Sequence, residues 1–163
     1  MLGQNMSKPY YQTANYHSSN SVGFLLKRAH ALMLDHLEPW LAAQDLSFIQ
    51  FTVLMALRHG TALNPKDICS LYRHDSGALT RVIDQLEARG WLTRSRSASD
   101  RRVIELHLTP AGRRRIEKVV PQVVELLNDG LRDFTHAEID ELIRLLHKLI
   151  ASLEHRIGQG TRA

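Results

Sequence analysis

The chain has 163 residues, 44% of them apolar, and 21 Lys and Arg against 17 Asp and Glu give a formal net charge of +4. That size and apolar share suit one ordinary domain or two small lobes sharing a core. Cys69 is the one cysteine, which excludes an intrachain disulfide, and no run resembles a signal peptide or approaches the roughly 18 apolar residues of a membrane span, so a cytoplasmic protein without a membrane partner is expected.

Residues 1–20 are polar, rich in Asn, Ser, Gln and Tyr, and lack helical or strand period, which predicts a flexible arm whose Tyr10, Tyr11 and Tyr16 could dock on a partner subunit or line a pocket. From Ser21 onward Val22, Leu25, Leu26, Ala29, Leu32, Met33 and Leu37 recur at helical spacing, with Pro39 just past the expected end of this first helix. Ser47 to Gln50 has the form of a capping box and opens a second helix over Phe48–His59, closed by Gly60. Asn64 and Pro65 pair an N-cap with a proline at the first helical position, starting a short third helix that reaches about Leu71. Tyr72 to Asp75 is the turn before a fourth helix, with Asp75 or Ser76 as its N-cap.

In the fourth helix Leu79, Val82, Ile83 and Leu86 form an inward stripe, and Gly77, Thr80, Arg81 and Asp84 lie opposite. Small residues at its start allow close approach to another surface, and free amides at a helix N-terminus suit phosphate. Gly90 ends the helix and Trp91-Leu92-Thr93 begins a strand. A polar basic turn, Ser95–Arg101, leads to an alternating segment with Ile104, Leu106 and Leu108 on one face and Val103, Glu105 and His107 on the other. A helix-turn-helix followed by a basic hairpin is the plan of a winged helix, mainly α with a small β-hairpin, whose helix enters the major groove while the wing reaches flanking backbone or minor groove. Charge agrees: Arg89, Arg94, Arg96, Arg101, Arg102, Arg113, Arg114, Arg115 and Lys118 face only Asp100, Glu105 and Glu117 over the same stretch.

Thr109 and Pro110 repeat the cap-and-proline device and open a long helix with Ile116, Val119, Val120, Val123, Leu126 and Leu127 on one side. Thr135 to Glu138 forms another capping box, followed by a stripe of Ile139, Leu142, Ile143, Leu146, Leu149, Ile150, Leu153 and Ile157. With the first helix, these stripes are expected to make a subunit interface, an intrachain three-helix core being the alternative. The expected layout is an arm at 1–20, a dimerisation and pocket helix at 21–44, a DNA-binding region at 45–110, dimerisation helices at 111–158 and a tail at 159–163.

Three motifs fix a resemblance by their order and spacing: Gly77 to Leu92 across the fourth helix, Asp100-Arg101-Arg102 at the wing, and Leu108-Thr-Pro-Ala-Gly112 at the next helix. In these the chain resembles the MarR-type transcriptional regulators, over about Val22 to Ile157. The resemblance implies a homodimer on pseudo-palindromic double-stranded DNA, most simply a repressor, with a small-molecule effector, an aromatic or phenolic acid, between the dimer helices and the winged lobe, and no cofactor. Ser76, Gly77, Ala78, Thr80 and Arg81 are the expected base-reading set, Arg81 offering a fork for guanine or phosphate. Arg96, Arg101 and Arg102 are the wing candidates, and strand alternation suggests that at least one of them is structural. By resemblance Asp100 braces the wing through an ion pair. His30, Met33, His36, Trp40, Phe48 and Phe51 fall in the pocket part of the chain, with His30, His36 or Arg58 able to pair with a carboxylate, although core packing suits most of them equally.

Other classes find little support. The nine histidines include no pair at i and i+4 for a metal. No nucleophile, base and oxyanion site assembles, so an enzyme is not expected. Cys69 as a redox sensor needs an exposed, activated thiol, and its place between Ile68 and Leu71 suits a small core residue. A ligand-independent architectural DNA binder is the remaining alternative.

Overall fold

The structure, a computed structural model, describes residues 9–58, 64–72 and 75–160. The expected close of the second helix at His59 and Gly60, and Arg73 and His74 of the turn, lie outside the described residues. In chain order come α1 (Val22–Ala43), α2 (Phe48–Arg58), α3 (Pro65–Tyr72), α4 (Ser76–Ala88), β1 (Leu92–Arg96), β2 (Ile104–Leu108), α5 (Pro110–Gly130) and α6 (His136–Gly160). Two compact units divide the chain, residues 1–121 and 122–163, so α5 begins in the first and ends in the second.

The core of the first unit is built around α2, whose Phe51, Val53, Leu54 and Leu57 are all buried. Around them Leu37 and Leu41 of α1, Ile68 of α3, Leu79, Ile83 and Leu86 of α4, Leu92, Leu106, and Ile116 and Val119 of α5 are also buried. The Ser47–Gln50 capping box forms in both directions, at 3.1 and 3.2 Å.

Pro39 lies inside α1 and does not end it. A proline within a helix removes the bond to the carbonyl four residues back and costs about 3 kcal/mol. The turn beyond it carries Leu41, which together with Leu37 is withdrawn from water, and such burial contributes about 1.5–3 kcal/mol for each side chain. Packing therefore outweighs propensity here. α1 stops instead at Asp45, in left-handed backbone at φ 53°, where Leu46 N–H reaches Leu41 O at 3.0 Å and Asp45 N–H reaches Ala42 O at 2.9 Å.

α4 ends by the same motif with the residue better suited to it: Gly90 has φ 67°, and Trp91 N–H bonds Leu86 O at 3.0 Å. The antiparallel hairpin runs from Leu92 opposite Leu108 to Arg96 opposite Ile104, and Ser97 N–H to Val103 O carries the ladder one step further. Thr109 then ties the start of α5 to the end of α4, its hydroxyl donating to Gly90 O at 2.6 Å and accepting Gly112 N–H at 3.0 Å. Gly112 faces the Trp91 backbone so closely that a Cβ there would stand 1.8 Å from Trp91 O.

That seating corrects one reading of the sequence. Ile116 and Val119 of the α5 stripe are buried within the first unit, so this part of the stripe is core rather than interface. The stripes that remain uncovered are on α1 and α6. In the second unit the Thr135–Glu138 capping box opens α6, with Glu138 Oε2 accepting both the Thr135 N–H and its hydroxyl at 2.8 Å. Those two bonds, the backbone one foremost, hold the Glu138 carboxyl below its ordinary range.

The arm also has local order that its sequence did not suggest. Ser18–Asn20 makes a 3-10 turn capped by His17, Tyr11 Oη accepts Val22 N–H at 2.8 Å, and Tyr16 Oη bonds Ser21 Oγ at 3.1 Å. Tyr11 stands edge-on to both Tyr10 and Tyr16.

Candidate nucleic-acid interface

α4 is held so that one side is spent on the core and the other is left free. Leu79, Ile83 and Leu86 are at most 1% exposed, with Val82 half-buried beside them. Ser76, Gly77, Ala78, Thr80 and Arg81 are all exposed on the opposite side, where the sequence placed its reading set. Among the described residues Arg81 has no hydrogen-bond or ion-pair partner. Thr80 donates its hydroxyl proton to Ser76 O at 2.8 Å, which leaves the oxygen as an acceptor and the methyl as an apolar contact.

The N-terminus of α4 differs from the expectation of free amides. Asp75 caps it, accepting Ala78 N–H at 2.9 Å, so a carboxylate already occupies the end that seemed suited to phosphate. A Cβ at Gly77 would lie 3.2 Å from Asp75 Oδ1, so glycine leaves room for the cap. The helix is oriented from behind by Gln50, whose Nε2 donates to Gln85 Oε1 at 2.9 Å while its own Oε1 takes Ser47 N–H. Only the capping half of that arrangement was visible as a motif.

The wing is joined to α4 by Arg94. Its Nη1 bonds Glu87 Oε2 at 2.7 Å and its Nη2 bonds Asp84 Oδ1 at 2.5 Å, one guanidinium holding two carboxylates a helical turn apart. Sequence reasoning missed this role and counted Arg94 only as basic charge. The signal was available in two acids at i and i+3 on a helix followed by an arginine on the next strand. The finding also corrects the expectation for the wing set: Arg96, Arg101 and Arg102 are all exposed, their guanidiniums have no partner among the described residues, and the structural arginine is Arg94.

Asp100 sits in the wing turn and accepts Arg102 N–H at 2.9 Å, while its carbonyl accepts Val103 N–H at the same distance. Among the described residues its contacts are thus with backbone, where an ion pair was expected. On the outer face of the hairpin His107 Nε2 meets Ser95 Oγ at 2.9 Å and lies 3.6 Å from Glu105.

Of the pocket candidates the structure gathers three into a run of ring contacts, His30 against Phe48 at 6.3 Å and Phe48 against Phe51 at 6.5 Å. Phe51 is part of the core, Met33 is 52% exposed on α1, and Trp40 and Arg58 are half-buried at the last turns of α1 and α2. His36 is exposed and engaged with a neighbour. Cys69 is a half-buried thiol. Among the described residues no three His, Cys, Asp or Glu side chains group as metal ligands, and no single helix is long and apolar enough to cross a membrane.

Known proteins share this arrangement. The MarR family model matches residues 46–104, the stretch from α2 to the second wing strand. Transcriptional repressor MprA of Escherichia coli (strain K12) is 30% identical over 131 residues, covering 78% of this chain and 74% of that protein. Multiple antibiotic resistance protein MarR of Salmonella typhimurium is 30% identical over 115 residues, covering 70% and 80%. Among solved structures, Bordetella bronchiseptica BpsR, whose DNA binding is regulated by 6-hydroxynicotinic acid, superposes with a TM-score of 0.72 at 32% identity over 82% of this chain and 96% of that one. A mutant MarR from E. coli complexed with operator DNA gives 0.68 at 28% identity, over 78% and 92%. A capped helix with an unspent outer face, a wing tied to it by Arg94, and relatives alike over most of their length lead to one conclusion: the chain belongs to the MarR family of winged helix-turn-helix transcriptional regulators.

Proposed function

We propose that this regulator is a homodimeric repressor that reads a pseudo-palindromic operator with α4 and clasps the flanking backbone or minor groove with the wing. The observation that carries the reading is the division of labour among the arginines: Arg94 is consumed in fixing wing to helix, whereas Arg81, Arg96, Arg101 and Arg102 are exposed and unpaired among the described residues. Unpaired guanidiniums beside small residues match what direct readout and phosphate contact require. Ser76, Gly77, Ala78 and Thr80 complete the reading set, with Asp100 shaping the wing turn. The E. coli MarR complex with operator DNA supports the same use of the fold.

A second copy of the chain is the natural cover for the apolar side chains left in water. Val22, Leu25, Leu26, Leu32 and Met33 on α1 and Leu142, Ile143, Ile150, Leu153 and Ile157 on α6 are 38–58% exposed, more apolar surface than a monomer ordinarily leaves open. In the dimer, α1 within residues 21–44 and α6 within 111–158 supply the association surface, the start of α5 being core, and 45–110 is the DNA-binding region. Two α4 helices about 34 Å apart then meet successive major grooves. Release follows when a small aromatic acid, held near His30, Phe48 and Phe51 with Met33, His36 and Trp40 around it and His30, His36 or Arg58 as the partner of its carboxylate, binds the DNA-incompetent dimer more tightly, by about 1–3 kcal/mol for typical couplings. The regulation of BpsR by 6-hydroxynicotinic acid supports an effector of this kind.

Binding of the purified protein to DNA from around its own gene, with excess nonspecific competitor, tests the reading. Competitor-resistant dimer binding is expected, with Arg81→Ala weakening the specific site by about 1–3 kcal/mol and leaving nonspecific binding less affected. Weak binding indifferent to sequence and to Arg81→Ala would point to an architectural protein instead.

A further inference from the structure

On the first unit, away from the outward face of α4, Arg89, Trp91, Arg115 and Asp45 line an open cleft of about 630 Å³. Both guanidiniums lie over the same indole, Arg89 at 5.0 Å and Arg115 at 5.4 Å from the ring centroid. Each also donates to the connection between α1 and α2: Arg89 Nη1 to Asp45 O at 2.5 Å and Arg115 Nη2 to Gln44 O. These partners are neutral. Among the described residues neither arginine makes an ion pair: Asp45, whose carboxylate belongs to the same cleft, meets Arg89 through its backbone carbonyl alone. Arg115 Nε is buried with no acceptor, and a guanidinium carries five N–H donors of which one is used here. The indole's quadrupole and two carbonyls offset only part of the repulsion between like charges, and the chemistry that would offset the rest is that of an oxyanion.

We propose that this cleft is a binding site for a small oxyanion, the carboxylate or phosphate group of a metabolite, held by Arg89 and Arg115 beside Trp91. Such an anion would join three elements at once: the end of α1, the C-terminal end of α4 and the first turns of α5. Occupancy therefore stiffens the junction on which the recognition helix is mounted. The site is separate from the pocket near His30 and does not rest on the operator reading.

The chain has two tryptophans, Trp40 and Trp91, so in a Trp40→Phe background emission reports the cleft alone. Sodium phosphate and sodium benzoate would be titrated separately at constant ionic strength set with chloride. A saturable change in Trp91 emission is expected with at least one of them, and whichever binds tighter identifies the oxyanion. Arg89→Gln, at an exposed position, should weaken that binding about tenfold, as loss of one charge-assisted contact does. Arg115→Gln should do the same, with the Arg89 variant deciding if loss of the Gln44 contact unfolds it. In the otherwise unaltered chain the same anion should raise Tm, and Arg89→Gln should shift the rise to about tenfold higher anion concentration. No saturable response to either anion beyond chloride, or a response unchanged by Arg89→Gln, overturns the proposal.

Discussion

Replacing Gly112 by alanine is the most demanding stability test, because the added methyl has nowhere to go. Its Cβ would lie 1.8 Å from Trp91 O, 2.7 Å from Trp91 C and 3.0 Å from Trp91 Cα, all backbone atoms. Ordinary contact begins near 3.4 Å, so α5 and the Trp91 peptide must part by more than an ångström. That peptide is pinned: Trp91 N–H bonds Leu86 O, and Trp91 O accepts Thr109 N–H at 3.1 Å. Overpacking costs about 1–3 kcal/mol, and stretching the Thr109 bond about 1 kcal/mol more. Alanine's better helix propensity returns at most about 1 kcal/mol. The balance is a loss of about 2 kcal/mol, or a fall in Tm of about 4–8 °C for a chain of this size. Thermal and urea melts at one fixed protein concentration measure it. Gly158→Ala in α6, where a Cβ meets nothing within 4 Å, is the control and should be neutral or slightly stabilising. A Gly112→Ala protein as stable as the parent would refute the close seating of α5 on Trp91.

Arg94→Gln should cost little stability, because its carboxylate partners are 57% and 38% exposed and such pairs contribute about 0.2–1 kcal/mol each. Operator binding should fall by more than that loss, seen by comparing DNA titration with thermal melting, since the wing is no longer fixed to α4; equal losses would mean that Arg94 only stabilises. Asp75→Ala should lower stability by about 1 kcal/mol through loss of the α4 cap, measured by denaturant unfolding; no change would assign the cap no energetic role. For Glu138 the folded-state pKa is depressed, so its contribution is present above the ordinary glutamate range and disappears as pH falls through the lowered value. The Thr135 amide resonance should therefore titrate with a midpoint below that range and stop titrating in Glu138→Gln, and a midpoint at or above the ordinary value contradicts the capping bonds.

Much of the fold could be read from the residues because local chemistry and packing agree there. Ser47 with Gln50, Asn64 with Pro65, Thr109 with Pro110 and Thr135 with Glu138 announce helix starts, and Gly90 announces a stop. Pro39 misled because the gain from burying Leu41 is long-range and has no local signature. The α5 stripe misled for a related reason: period alone reports that Ile116 and Val119 seek an apolar neighbour, not whether it belongs to the same chain. At the candidate interface, the exposure of Ser76, Gly77, Ala78, Thr80 and Arg81 on α4 followed from its helical period. The roles of Arg94 and Gln50 depend on partners 7 to 35 residues away and emerge only when strand and helices are placed together.

The carboxylate at the tip of α4 has a consequence for selectivity. If the wing and α4 meet DNA as proposed, Asp75 opposes the polyanion at the point where the helix would touch it, while Arg96, Arg101 and Arg102 draw it in. Attraction and discrimination are thereby assigned to different parts of the same lobe. Under that proposal a random stretch of duplex would satisfy the wing alone, leave the helix tip repelled and be held loosely. A sequence whose base edges compensate the helix for that repulsion would be held longer.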